Sequence, residues 1–260
     1  MSRLRALAFN IAFFALTALL GVAGLPVLLM PRRRVMDFGR FWARCVLALL
    51  KGTVGLDGEI RGLEHLPSGP AIIAMKHQSA WDTLILPIVL GDPAAVVKRE
   101  LLWVPFYGWY AARAGSIAID RRGGAGALRR MVGAARQAVA AGRRIVIFPQ
   151  GTRTAPGQHV PYQPGGAALY QALRLPVVPV AVNSGLYWGR RSFVKRPGRI
   201  ILAFLEPIAP GLPRAELMSE LEARIETATA ALEQEGSAGY RAAGNQSSSP
   251  TPPPRIWSRE

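Results

Sequence analysis

The stretch from Ala6 to Met30, ALAFNIAFFALTALLGVAGLPVLLM, holds no charged residue. As a single helix it would be about 37 Å long at roughly 1.5 Å per residue. That is enough to cross a hydrocarbon core of about 30 Å, so the chain must either bury this run or give it to a membrane. Arg3 and Arg5 before it and the small residues GVAG within it resemble a cleavable signal peptide. The run is longer than such a peptide needs and meets Pro31 and Arg32 to Arg34 at once, which is how an anchor ends. Arginines stand on both flanks, so the distribution of positive charge assigns no orientation.

The next segment, Met36 to Lys51, changes character. Asp37, Arg40, Arg44 and Lys51 fall on one helical face, and Phe38, Phe41, Trp42 and Leu49 lie opposite. A helix of this kind packs on a protein core or lies in a membrane interface with its basic stripe toward phosphates. Residues 1–51 are therefore read as an anchoring helical pair set against one leaflet.

The 32 Lys and Arg against 16 Asp and Glu give a formal charge of +16, which calls for anionic partners. With half of the residues apolar, lipid headgroups and phosphorylated substrates fit better than nucleic acid. Aromatics are also not interleaved with the basic residues as a single-strand platform requires. Cys45 is the sole cysteine. It excludes an intrachain disulfide and a cysteine-based zinc site, and a small apolar filler is its ordinary role.

From Thr53 onward short β-rich runs alternate with helical ones, the pattern of βα units and of an α/β fold with a mixed, largely parallel sheet. Strands are predicted at 53–60, 71–75, 94–98, 116–119, 144–148, 177–182 and 199–204, and helices at 80–90, 125–141, 165–173 and 213–233. This α/β domain is placed at 52–235. Residues 236–260, rich in Ser, Pro and Gly, are read as a disordered tail.

The chemistry-bearing residues gather at the predicted ends of strands. KHQSAWD, residues 76–82, follows the apolar run AIIAM. Ser79 can cap a helix there, which leaves His77 at the strand's C-terminal edge and Asp82 in the first helical turn. A carboxylate beside an imidazole fixes the tautomer and frees the other nitrogen to take a proton from a hydroxyl. No G-x-S-x-G elbow is present to make Ser79 a nucleophile. The turn FPQGTR, residues 148–153, offers backbone amides, Thr152 and Arg153 to an anion. GSIAIDRR, residues 115–122, delivers Arg121, and LPVVPVAVNSG, residues 175–185, carries Pro176 and Pro179, which argue for an edge or a bulge. His65 and His159 fall in loop or surface positions.

These four blocks, in this order from about Gly58 to Glu206, resemble the glycerolipid acyltransferases, and most closely the 1-acylglycerol-3-phosphate O-acyltransferases. The resemblance implies that His77 is the general base and Asp82 its partner. Gly115 and Arg121 match the second motif, and Gly151, Thr152 and Arg153 the third; both are implicated in holding the acceptor. Pro179 matches the fourth, linked to the acyl chain. Lys98, in VVKRELLWVPFYG, stands at a position that is basic in relatives and is either a further phosphate contact or a solvated surface lysine. Gln150, placed with its motif neighbours among the substrate-binding residues, departs from the family's FPEGTR and keeps the hydrogen-bonding shape without the charge. Lys76 departs from NHQS and sets a cation beside the base.

The implied reaction moves an acyl group from acyl-CoA or acyl carrier protein to the 2-hydroxyl of lysophosphatidate, with no metal and no cofactor. The implied setting is membrane phospholipid, at a bacterial inner membrane with the site facing the cytoplasm. The alternatives are the same chemistry on glycerol 3-phosphate or a lyso-aminolipid, which Gln150 keeps open, and a non-catalytic basic protein bound to membrane.

Overall fold

Alternation along β2 (Ile72–Met75) defines the two sides of the molecule. Ile72 and Ala74 join one buried cluster while Ile73 and Met75 join the other. Both faces of the strand are therefore covered, as in sheets with helices on each side. The computed structural model describes residues 2–245 and adds to β2 the strands β1 (Leu56–Arg61), β3 (Ala94–Lys98), β4 (Ile117–Ile119), β5 (Ile145–Ile147), β6 (Val177–Val182) and β7 (Gly198–Phe204). Their spatial order is β1-β7-β6-β2-β5-β3-β4. The pairs from β6 to β4 and the pair β1 and β7 are parallel, and the two blocks meet antiparallel at β6 and β7. The expected mixed, largely parallel sheet is thus present.

On one face lie α2 (Arg32–Val54) and α3 (Trp81–Leu90). On the other lie α5 (Gly124–Ala140), α6 (Gly165–Leu173) and α7 (Arg214–Asn245). A short helix, α4 (Tyr107–Arg113), follows β3. Because β2 to β5 run parallel, their C-terminal ends open on one edge, where sites of α/β sheets gather.

Two expectations are corrected and one is narrowed. Of the edge or bulge expected for Pro179 the structure has the bulge: β6 lies between β7 and β2 and all six of its residues are buried. The imide is tolerated because β6 pairs with β7 only from Val180 onward, and the next contact on that side is the isolated bridge of Val177 with Ile208. Pro179 faces the bulge between them, where its carbonyl accepts from Leu205 N–H and no donor is needed. Next, the first strand begins at Leu56, because α2 continues to Val54 and ends on Gly55 at φ +76°, a conformation that glycine adopts freely. Finally, α7 does not stop at Glu235. Gly236 lets the helix press against the 184–186 turn, where a Cβ would lie 2.8 Å from the Tyr187 hydroxyl, and Glu235 pairs with Arg61. Residues 246–260 of the expected tail lie outside the described residues.

The N-terminal apolar run is also not a single helix. Helix α1 (Ser2–Ala23) gives way to a 3₁₀ turn at Leu25–Leu29 around Pro26. Helix α2 is a core helix: Ala43, Val46, Leu47, Leu50 and Val54 share a cluster with Ile73, Trp81 and Leu84. On its polar face Arg40 donates to Gly91 O and Lys51 pairs with Asp57. From α1 the cluster takes Phe9, edge-on to Trp188 at 5.5 Å. Most of α1 remains uncovered, with Leu4, Ile11, Phe14 and Leu19 more than 60 % exposed.

Candidate active site

His77 leaves β2 on the side of α3, and the first turn of that helix brings Asp82 to it. His77 Nδ1 and Asp82 Oδ2 are 2.8 Å apart. The same oxygen accepts the backbone N–H groups of Gln78 and Ser79 at 2.7 and 2.8 Å, and Oδ1 accepts the Ser184 hydroxyl at 2.6 Å. Asp82 is completely buried, so this set of donors replaces the water that an ionised carboxylate needs. Ser79 does not cap α3 in the expected way. The cap position is Ala80, and Ser79 Oγ accepts from Trp81 N–H at 3.2 Å.

With Nδ1–H donated to Asp82, the tautomer leaves Nε2 as the acceptor. Arg153 Nε approaches Nε2 at 3.4 Å, and the imidazole stacks on Phe148 with centroids 4.0 Å apart. The 148–154 loop is also tied to the His77 backbone, since Thr154 N–H donates to His77 O at 2.8 Å.

A cavity of about 780 Å³ opens beside Nε2. Lys98, Arg121 and Arg153 enter it from the C-terminal ends of the neighbouring strands β3, β4 and β5, together with Thr152 and Gly151. Leu128, Met131 and Leu169 make its far wall apolar. Arg121 donates to Gly151 O. Gly151 has φ +68°, and a Cβ there would lie 2.5 Å from Arg121 Nη2, so only glycine admits the guanidinium so close. Burial pulls the Arg121 pKa down from its ordinary value, and Glu100 opposes this; an arginine stays charged throughout.

The site residues named from the sequence therefore separate. His77, Lys98, Arg121, Gly151, Thr152 and Arg153 line one cavity. Asp82 stands behind His77. Gly115, Gln150 and Pro179 do not line the cavity. Gly115 O accepts from the buried Arg143, which also binds Pro93 O and Ala114 O and so clamps the turns before β3 and β4. Gln150 turns away toward α7, where its amide donates to Glu226 at 3.3 Å. Sequence reasoning missed Ser184, Phe148 and Arg190, the last also on the cavity wall. Ser184 stands 102 positions from Asp82, and only the parallel neighbours β2 and β6 bring them together.

Residues 58–183 match the acyltransferase family model. The 1-acyl-sn-glycerol-3-phosphate acyltransferase alpha of Mus musculus is 30% identical over 77% of this chain and 72% of its own length. The chain belongs to this acyltransferase family. The 1-acyl-sn-glycerol-3-phosphate acyltransferase of Pseudomonas aeruginosa is 40% identical over 61% of this chain, and the match spans 62% of that relative's length. Among solved structures, the 1-acyl-sn-glycerophosphate (LPA) acyltransferase of Thermotoga maritima superposes with a TM-score of 0.75. That match covers 90% of this chain and 98% of the other at 20% identity, a likeness of fold.

No group of metal-ligating side chains occurs among the described residues.

Proposed function

We propose that this acyltransferase moves a fatty acyl group from acyl-CoA or acyl carrier protein to the 2-hydroxyl of 1-acylglycerol 3-phosphate, giving phosphatidate. His77 Nε2 takes the hydroxyl proton as the oxygen adds to the thioester carbonyl. The resulting C–O bond replaces the C–S bond, and the imidazolium returns its proton to the leaving thiolate. Asp82 holds the tautomer and offsets the transient positive charge. Arg121, Arg153 and Lys98 receive the acceptor's phosphate, with Gly151 and Thr152 shaping the floor of that subsite. The contact of Arg153 with Nε2 is one that the acceptor hydroxyl takes over on binding.

The observation that carries this reading is the pairing of an oriented His77 with four cationic side chains, Lys98, Arg121, Arg153 and Arg190, in one cavity. A dianionic headgroup suits that set better than a neutral or zwitterionic one. Gln150, the departure that left other acceptors open, points toward α7 rather than into the cavity.

The uncovered apolar side of α1 supports a seat in the membrane. Within Arg3–Ala23 an 18-residue window reaches a mean hydropathy of 2.1. The segment before and within α4 docks at the end of this helix, with Arg113 donating to Leu28 O and Met30 O and Tyr110 to Gly21 O. It adds exposed Trp103, Val104 and Trp109 to the same side, the residue types that settle at lipid interfaces. A bacterial inner membrane with the cavity on its cytoplasmic side is where both soluble donors and a lysolipid meet. The deciding experiment is an assay of the purified protein with labelled acyl-CoA and acyl carrier protein against lysophosphatidate, glycerol 3-phosphate and a lyso-aminolipid. Preference for lysophosphatidate is the expected result, and preference for either other acceptor overturns the assignment.

A further inference from the structure

The two neighbours of His77 face the opposite way. The alternation that turns His77 toward α3 turns Lys76 and Gln78 toward α7, and each meets a carboxylate there. Lys76 Nζ donates to Glu226 Oε2 at 2.6 Å, and Gln78 Nε2 donates to Glu233 Oε1 at 2.6 Å. The two glutamates are seven positions apart, about two helical turns, and so share one face of the helix. Lys76 is 2% exposed and Gln78 0%. A lysine so enclosed leaves its ammonium without water, and the Glu226 carboxylate takes the place of that water.

Glu226 does more than pair with Lys76. Its Oε1 accepts the Tyr162 hydroxyl at 2.9 Å and the Gln150 amide at 3.3 Å. Gln150 stands at the head of the turn whose Arg153 reaches His77 Nε2 and whose Thr154 holds His77 O. One carboxylate thus grips both segments that converge on the imidazole, the end of β2 and the 148–154 loop. Packing alone does not account for it, because α7 already docks through Leu217, Leu221 and Ile225. The carboxylate absent at position 150 lies one hydrogen bond away, on another helix.

We propose that Glu226 is a positioning residue for acyl transfer: through Lys76 and Gln150 its charge sets His77 and Arg153 at their working separation. The proposal rests on His77 being the base. It also explains why Lys76 and Gln150 occur together, since the lysine needs a carboxylate and Glu226 needs donors.

The test is an exchange of charge between two isosteric side chains. Glu226→Gln removes the carboxylate, and Glu226→Gln combined with Gln150→Glu returns it from the other side. Gln150 and Lys76 each bond to Glu226, so a glutamate at 150 returns a carboxylate to the same network. Each protein is assayed for kcat and for KM of acceptor and donor, with its melting temperature recorded. The single variant is expected to lose about 10- to 100-fold in kcat with both KM values within about twofold, the scale of a small misplacement of reacting groups. The exchange is expected to recover most of that loss. Wild-type kcat in Glu226→Gln, a change confined to KM or to melting temperature, or an exchanged protein no more active than the single variant would each overturn the proposal. Should Glu226→Gln fail to fold, the exchanged protein is judged against wild type: a kcat within about threefold supports the role and a loss beyond about tenfold overturns it. His77→Ala serves as the control. Turnover in that variant removes the base assignment, whereas an inactive His77→Ala beside a wild-type Glu226→Gln removes this inference alone.

Discussion

Asp82 Oδ2 serves His77 Nδ1 and the backbone amides of Gln78 and Ser79 at once, all within 2.8 Å. The carboxylate that orients His77 therefore also folds the turn that carries it. His77→Ala should abolish turnover with the fold retained, a loss of roughly 10² to 10⁴. Asp82→Asn should do two things together, because an amide cannot accept from all three groups with either terminal atom. It should lower kcat by presenting the wrong tautomer and lower the melting temperature by leaving a buried donor unpaired. Steady-state kinetics beside thermal melts check both, and an Asp82→Asn enzyme with full kcat would remove Asp82 from the mechanism.

Ser184 donates to the other oxygen of that carboxylate at 2.6 Å and is itself fully buried. Ser184→Ala takes away a hydrogen bond to a charged group, worth about 1.5 to 3 kcal/mol. The expected outcome is a clear fall in melting temperature with a smaller fall in kcat than in Asp82→Asn, since the bond from His77 remains. Equal losses of kcat in the two variants would contradict this ranking.

The N-terminal helices differ in what their removal should do. Deleting residues 1–24 takes the exposed Leu4, Leu7, Ile11, Phe14, Leu19 and Val22 with α1 and leaves α2 in the core, so the shortened protein should be released from membranes by salt, whereas the full chain should resist carbonate. Deleting residues 1–51 removes Val46, Leu47 and Leu50 from the cluster that includes Trp81, and should yield insoluble protein. Fractionation of cells expressing each form, followed by carbonate and high-salt washes, checks the difference. Release of the full chain by salt alone would exclude α1 as the anchor.

How far the sequence carries the fold depends on what each element answers to. Strand β3 at 94–98 and β6 at 177–182 appear at the predicted bounds, because short apolar runs rich in valine need no partner to be recognised. Pro179 left an edge and a bulge open for the reciprocal reason: whether its missing donor matters depends on where β7 ends, a fact of the neighbouring strand. The continuation of α7 past Glu235 was hidden similarly, since SAGYRAAGN reads as flexible until Gly236 is seen against Tyr187. At the site, local spacing placed His77 with Asp82. Nothing local to KHQS tells that Lys76 turns to Glu226, 150 positions later. Gln150 read as an acceptor contact because the resemblance implies that role for its motif neighbours; backbone direction at the turn sends it toward α7.

The acceptor subsite gives the last prediction. Arg121 and Arg153 arise from β4 and β5, and Gly151 at φ +68° lets Arg121 reach the backbone of the loop that carries Arg153. Charge-assisted hydrogen bonds from two guanidinium groups are worth roughly 1.5 to 3 kcal/mol each, so Arg121→Ala or Arg153→Ala should raise the lysophosphatidate KM by about 10- to 100-fold. The acyl-donor KM should hold in both. Arg153→Ala should in addition lower kcat, since it alone touches Nε2. Gly151→Ala should reproduce the Arg121 phenotype without removing any charge, because its methyl group claims the position of the guanidinium and the left-handed backbone disfavours any Cβ. Kinetics with acceptor varied at fixed donor, then donor at fixed acceptor, separate these effects. Wild-type acceptor KM in both arginine variants would place the phosphate elsewhere in the cavity, with Lys98 and Arg190 the next side chains to test.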